Sequence, residues 1–201
     1  IVSYTLGIHP WYISPSDIDS IEKLQSAKDE RAVAIGEIGL DKVIANPPLA
    51  IQKEIFTRQL IIAKEINLPV VIHCRKAFNE ILEITNKVGI PEAGGIIHSF
   101  NGSIEIAEAF KKHNIKFSIG GILTYKPSKK RTELLKYIYP DDFLLETDSP
   151  DIMPIQIENR PNEPKNIIYN LKAAANILQI SEEEIAKATT QNAIQIFNLT
   201  I

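Results

Sequence analysis

Residues 69–75 read Pro-Val-Val-Ile-His-Cys-Arg. The first half is a β-branched apolar run, the composition of a strand covered on both faces, as the strands of a parallel sheet are. The second half is an imidazole, a thiol and a guanidinium. A strand that begins in a core and ends in reactive groups fits the carboxyl edge of a parallel α/β fold. There the loops that follow each strand converge on a shared crevice or mouth.

The same rhythm runs outward in both directions. Short β-branched runs at 3–9, 32–38, 69–74, 95–99, 115–120 and 143–148 alternate with segments whose apolar positions fall three and four apart, at 16–28, 49–66, 77–88, 104–113 and 128–137. Two more helices are expected at 165–178 and 182–197. Ser181 stands before Glu182, Glu183 and Glu184, so a hydroxyl N-cap is followed by acids that favour the positive end of a helix dipole; Ser103 before Ile104 is a similar start. No repeat, low-complexity tract or linker divides the chain, and residues 1–201 read as one domain. An α/β chain of this kind leaves two architectures, an open doubly wound sheet and a closed (β/α) barrel of TIM type. No G-x-G-x-x-G follows the first strand, which removes the best dinucleotide signal. Six strands are two fewer than the usual eight of a barrel.

At 201 residues, 44% hydrophobic and 23% charged, the chain can bury a sizeable core and lacks the composition of a disordered one. A formal charge of −3 excludes the strongly basic balance that marks many nucleic-acid binders, so an anionic substrate would need local positive charge. Cys74 is the single cysteine and cannot form an internal disulfide. Neither a signal-peptide core nor an apolar stretch of bilayer-spanning length is visible. The expectation is a reducing cytoplasm, with no membrane association and no obligate protein partner.

What each strand ends in carries the chemistry. The first ends in GIHP with His9, the second in GEIGLD with Glu37 and Asp41, the third with His73 and Arg75. The fourth ends in IIHSF with His98, the fifth in a bare SIGG, and the sixth in LLETDSP with Glu146 and Asp148. Glu37, His73, His98 and Asp148 are separated by 36, 25 and 50 residues, that is one, one and two βα units. Imidazole and carboxylate donors from separate strand ends, with no thiolate cluster, suit a divalent ion such as zinc, manganese or magnesium. Such an ion lowers the pKa of its water towards about 7. Taken singly, each of these residues reads as a hydrogen-bonded strand end or a loop cap; taken together they read as a metal site. By strand alternation Cys74 points away from His73 and Arg75 and reads as a small buried hydrophobe. His113, late in a helix, reads as structural. The run KPSKKR at 126–131 belongs to the same mouth as the bare fifth strand, as a solvated helix start or as a phosphate-contacting patch.

In that order and at those spacings, GIHPW, GEIGLD, PVVIHCR, IIHSF, ETDSP and RPNEP resemble the TatD family of metal-dependent deoxyribonucleases, within the amidohydrolase-like barrels. The resemblance runs from His9 to the C-terminus. It implies a TIM-type barrel that holds one or two divalent ions and cleaves phosphodiester bonds in DNA, often as an exonuclease. It places metal ligation on Glu37, His73, His98 and Asp148, sets His9 and Arg75 near the scissile phosphate, and assigns Arg160, Asn162 and Glu163 to a loop that shapes the substrate site. Many members begin with a strand ending in His-x-His, which this sequence does not contain. Loss of a front segment, replacement of the pair and a degraded site each account for that, and loss of the segment is the expectation adopted.

The expected mechanism has metal-activated water attack the phosphorus, with Asp148 as ligand and general base and with His9 and Arg75 offsetting the phosphate charge. Two rivals are an amide, ester or lactone hydrolase on the same barrel and a degraded barrel serving as a binding scaffold.

Overall fold

The computed structural model describes residues 2–158 and 161–200. Its six strands are β1 (Thr5–Leu6), β2 (Ala34–Asp41), β3 (Val70–Arg75), β4 (Gly95–Ile97), β5 (Ile115–Ile119) and β6 (Phe143–Leu145). Each pairs in parallel with the next, in the order β1-β2-β3-β4-β5-β6. A doubly wound sheet reverses its strand order at a switch point. This one keeps sequence order throughout, as the wall of a (β/α) barrel does. Among the described residues β1 and β6 do not pair with each other, so the sheet is not closed along that seam.

The helices are α1 (Pro15–Ser20), α2 (Leu49–Ile66), α3 (Phe78–Val88), α4 (Ile104–Lys111), α5 (Lys129–Ile138), α6 (Ile167–Leu178) and α7 (Glu182–Phe197). Ser103, Ser128 and Ser181 cap α4, α5 and α7 through their side-chain oxygens, and Glu184 returns its carboxylate to the Ser181 N–H in a capping box. The expected first helix at 16–28 is instead α1 followed by a 3₁₀ segment, Ile21–Ser26. Its apolar residues Ile21, Leu24 and Ala27 are three apart, the period of a 3₁₀ turn, and Ile21 and Ala27 are buried.

Strand ends also differ from expectation: β1 covers only Thr5–Leu6 of 3–9, and β4 stops at Ile97, short of 99. The sixth ladder stops at Leu145, short of 148, because the chain turns there and Asp148 adopts a left-handed φ of 57°. The second runs past 38 to Asp41, since β3 continues beside it as far as Arg75. Between sheet and helices lies a core whose largest fully buried members include Phe56, Phe100, Phe110, Phe117 and Phe143. Each such ring contributes roughly 2–3 kcal/mol by burial. Among the described residues no helix is long and apolar enough to cross a membrane.

β2 and β3 approach unusually closely, and the two glycines of GEIGLD permit it. A Cβ at Gly36 would stand 2.5 Å from that of Val71, and one at Gly39, where φ is +144°, would meet the His73 carbonyl oxygen at 2.0 Å. The register between the strands slips between Gly36 and Ile38, leaving Glu37 as an extra residue in β2. A bulge of this kind re-aims a side chain out of strict alternation.

Candidate active site

Each site residue is delivered by a strand end and held by something specific. The β1 exit is gripped by buried Gln59 of α2, whose side chain accepts from the Ile8 N–H at 2.7 Å and donates to the Ile8 carbonyl at 3.1 Å, fixing the segment that carries His9. Two turns earlier on the same helix face, buried Gln52 does the same for Asp41, at 2.8 and 3.1 Å. Glu37 is released by the β2 bulge. His73 and Arg75, two apart on β3, face the same side and pair in register with Gly39 and Asp41. His98 follows β4 directly, its N–H bonded to the Ile72 carbonyl at 3.1 Å. Asp148 sits in the turn after β6.

The side chains of His9, Glu37, His73, Arg75, His98 and Asp148 meet in one cavity of about 580 Å³, rimmed by the exposed aromatics Trp11, Tyr12 and Tyr125. His9, Glu37 and His73 each offer one ligand atom, all within 4.8 Å of one another. Nε2 of His98 lies 3.2 Å from Glu37 Oε2 and 3.1 Å from Nδ1 of His73, while Nε2 of His9 is 3.7 Å from the same Glu37 oxygen. The other nitrogen of His98, Nδ1, faces Asp148 Oδ1 at 3.7 Å and Glu146 Oε2 at 3.9 Å. The four expected ligands therefore share one mouth but are divided by the His98 ring. Glu37 and His73 gather at Nε2 and Asp148 stands at Nδ1. His9, expected only beside the substrate, joins the carboxylate–imidazole cluster.

Burial sets the charges. It drives His73 down to about 4, reinforced by the neighbouring His98 and His9 and only partly opposed by Asp41, so this imidazole is neutral at neutral pH. Burial also lowers His9, against the pull of Glu37. It raises Asp148, and it pushes Glu146 up to about 7 despite His98 and the Ser118 hydroxyl. For Asp41 burial would raise the carboxyl, but hydrogen bonds from Trp11, Val43 and His73 outweigh it and hold the group low. Cys74 is raised to about 12 by burial, which fits an inert thiol beside the cavity.

Two strand-end carboxylates to which the sequence assigned no role, Asp41 and Glu146, stand behind the imidazoles. Asp41 accepts from Trp11 Nε1 at 2.7 Å, touches His73 Nε2 at 3.4 Å and lies 3.9 Å from the Arg75 guanidinium. Glu146 takes the Ser99 N–H at 2.7 Å and the Ser118 hydroxyl at 2.5 Å, tying the ends of three strands behind His98. Other expected residues lie elsewhere. Asn162 is buried, and its amide donates at 2.8 Å to the carbonyls of Thr147 and Asp151, so it braces the Asp148 turn and does not border the cavity. Glu163 is exposed and paired with Lys165 at 2.5 Å. Arg160 lies outside the described residues. His113 bonds Asn86 at 3.0 Å, away from the site, in keeping with a structural role.

A sequential parallel (β/α) wall with imidazoles and carboxylates gathered at its carboxyl edge defines the class: a TIM-type barrel hydrolase of the kind that works with a divalent ion. A family model described as "TatD related DNase" matches residues 1–198, and the chain belongs to that family. A Bacillus subtilis protein named as an uncharacterized metal-dependent hydrolase, YabD, is 39% identical over 197 residues, covering 96% of this chain and 76% of that protein. The crystal structure of YjjV, a TatD homologue from Escherichia coli, superposes with a TM-score of 0.89 at 28% identity, covering 98% of this chain and 77% of that one. A TatD-family hydrolase structure from Entamoeba histolytica, at 21% identity and TM-score 0.80, covers 96% of this chain and 74% of that one and shares the fold.

Proposed function

We propose that this protein hydrolyses phosphodiester bonds in DNA, working from a strand end. The observation that carries the reading is the crowding of Glu37, His73, His98 and His9 in one cavity beside the exposed guanidinium of Arg75. A cation at the rim of a carboxylate–imidazole centre matches a substrate that is itself an anion. Membership of the TatD-related family supports the same reading.

The residues present fit a divalent ion such as zinc, manganese or magnesium. Donors each about 2.1 Å from one tetrahedral ion stand about 3.4 Å apart. The pairs around Glu37 and His98 are 3.1, 3.2 and 3.7 Å apart. Glu37, His73 and His98 would hold the ion, with His9 adjoining and Asp148 across the His98 ring. When bound, the ion supplies Lewis acidity, polarising a phosphoryl oxygen and making water nucleophilic near neutral pH.

The chain's own groups do the rest. Asp148 takes the proton of the attacking water, and the burial that raises its carboxyl makes it a better base. Arg75 presents a planar fork of donors to two phosphate oxygens, offsetting charge that grows in the transition state. His9, kept neutral, offers one further hydrogen bond to the phosphate. Asp41 and Glu146 hold His73 and His98 in place.

The test is hydrolysis of an end-labelled oligodeoxynucleotide by metal-loaded protein. His98→Ala and Asp148→Ala should each abolish it while the far-ultraviolet dichroism stays native, and affinity for the oligonucleotide should fall steeply with salt as phosphate contacts release counterions. Undiminished turnover in either variant, or turnover of a neutral ester or lactone with DNA left intact, overturns the reading.

A further inference from the structure

Beside the active cavity lies a second cleft. Tyr125 borders both, forming the wall between the carboxylate–imidazole cavity and a neighbouring groove of about 520 Å³. One side of the groove is a stripe of α6, in which Tyr169, Lys172 and Asn176 recur three and four residues apart on one helix face. Arg131 from the first turn of α5 and Gln156 from the loop after β6 add to its polar lining, with the hydroxyls of Thr124, Ser128 and Thr132.

The chemistry of this lining is selective. Its charged side chains among the described residues, Arg131 and Lys172, are both cations, and no carboxylate of those residues borders the groove. In a chain whose net charge is −3, that is a local reversal of sign. The positive field continues towards the first cavity. Lys130, next to Arg131, places its Nζ 3.5 Å from the carbonyl of Asn101, a residue that borders the first cavity. Arg131 is steadied by its own bond to the Lys126 carbonyl at 3.2 Å. The basic run at 126–131 thus straddles the ridge between the two clefts. Tyr125, 41% exposed on that ridge, and half-buried Tyr169 offer ring surface along the same path.

Alternating cations and aromatic faces beside a phosphate-cleaving centre are what a polynucleotide backbone with its bases requires. Resting on the phosphodiesterase reading above, we infer that this groove binds the part of the polynucleotide chain that continues away from the scissile bond. Arg131 and Lys172 contact successive backbone phosphates. Tyr125 and Tyr169 stack bases, and Gln156 and Asn176 meet base edges. The active cavity then accommodates the strand end and the groove its continuation, so the enzyme distinguishes a polymer from a small diester by contacts outside the catalytic centre.

The experiment compares R131A/K172A with K136A/K187A, a pair that removes the same charge from exposed lysines bordering neither cleft. Binding is read by anisotropy with a fluorescein-labelled phosphorothioate oligodeoxynucleotide of about 12 nucleotides, and turnover with an ordinary oligonucleotide and with bis(p-nitrophenyl) phosphate. The groove predicts at least about a tenfold loss of oligonucleotide affinity in R131A/K172A, with the salt slope reduced by about 1.4 for two lost contacts. It also predicts that kcat/KM falls at least about tenfold more on the oligonucleotide than on the small diester, with K136A/K187A near wild type. Equal losses in the two pairs, or an oligonucleotide affinity within about twofold of wild type in R131A/K172A, overturn the groove while leaving hydrolysis of the diester in place. A wild-type protein that cleaves neither diester yet turns over a neutral ester overturns the nuclease reading itself, and the groove with it.

Discussion

Asp41 Oδ2 lies 3.4 Å from Nε2 of His73, on the ring edge opposite the nitrogen that faces His98. The carboxylate is fully buried, yet it is held ionised by the Trp11 indole, the Val43 N–H and His73 itself. A carboxylate behind an imidazole fixes both its tautomer and its orientation. Asp41→Asn keeps the shape and loses the charge. It should weaken binding of manganese or zinc about 10- to 100-fold by titration calorimetry, with little change in secondary structure. Unaltered metal affinity would show that Asp41 serves only the fold.

The two glutamines of α2 make a parallel claim about position. Gln59 satisfies both backbone polar groups of Ile8, the residue before His9. Gln59→Leu preserves bulk and leaves a partly buried N–H and carbonyl without this partner, at a cost of about 1–2 kcal/mol. Urea unfolding should register that loss. The His9 loop should also exchange its amides faster than β3 does, and kcat should fall more than global stability accounts for. A variant that is destabilised evenly throughout, with kcat intact, would contradict the assignment.

What the sequence made legible and what it hid follow from the same physics. His73, His98, Glu37 and Asp148 stood out because reactive side chains at the ends of apolar runs are anomalous at the level of composition. The α2 bounds at 49–66 were legible from apolar positions three and four apart, Phe56, Leu60 and Ala63 among them. Gln52 and Gln59 were not, since a glutamine on an amphipathic helix looks like a solvated residue until the backbone it grips, 51 residues away for Gln59, is known. Asp41 and Glu146 sat in motifs already singled out, but whether a strand-end carboxylate faces an ion or the back of an imidazole depends on ring orientation. The split of Asp148 from Glu37 across the His98 ring is of that kind, as is the bulge that frees Glu37.

Cys74 offers a simple check on burial beside the cavity. Its thiol is pushed up to about 12, against an ordinary value of 9.0. The thiolate is the reacting form, so at pH 8 the native protein should react with an aromatic disulfide reagent on the order of a thousandfold more slowly than a free thiol. Rapid labelling of folded protein would refute the buried environment.

The metal-free protein should show two opposed pH dependences. His73 titrates near 4 when folded and near 6.5 when unfolded. The unfolded chain binds the extra proton between those values, so this group's contribution is complete above 6.5 and is lost as pH falls towards 4. Glu146 behaves in reverse. Its folded value of about 7 lies above the ordinary 4.5, so its contribution is complete below 4.5 and is lost as pH rises to about 7. Each unit of displacement is worth about 1.4 kcal/mol. Urea unfolding in chelator between pH 4.5 and 7 separates them. Relative to wild type, Glu146→Gln should gain about 2 kcal/mol as pH rises through that range, and His73→Asn should lose a similar amount. Curves that stay parallel to wild type in both variants would mean that neither group is held away from its ordinary titration, and that the hydrogen-bonded frame behind the two imidazoles does not persist in solution.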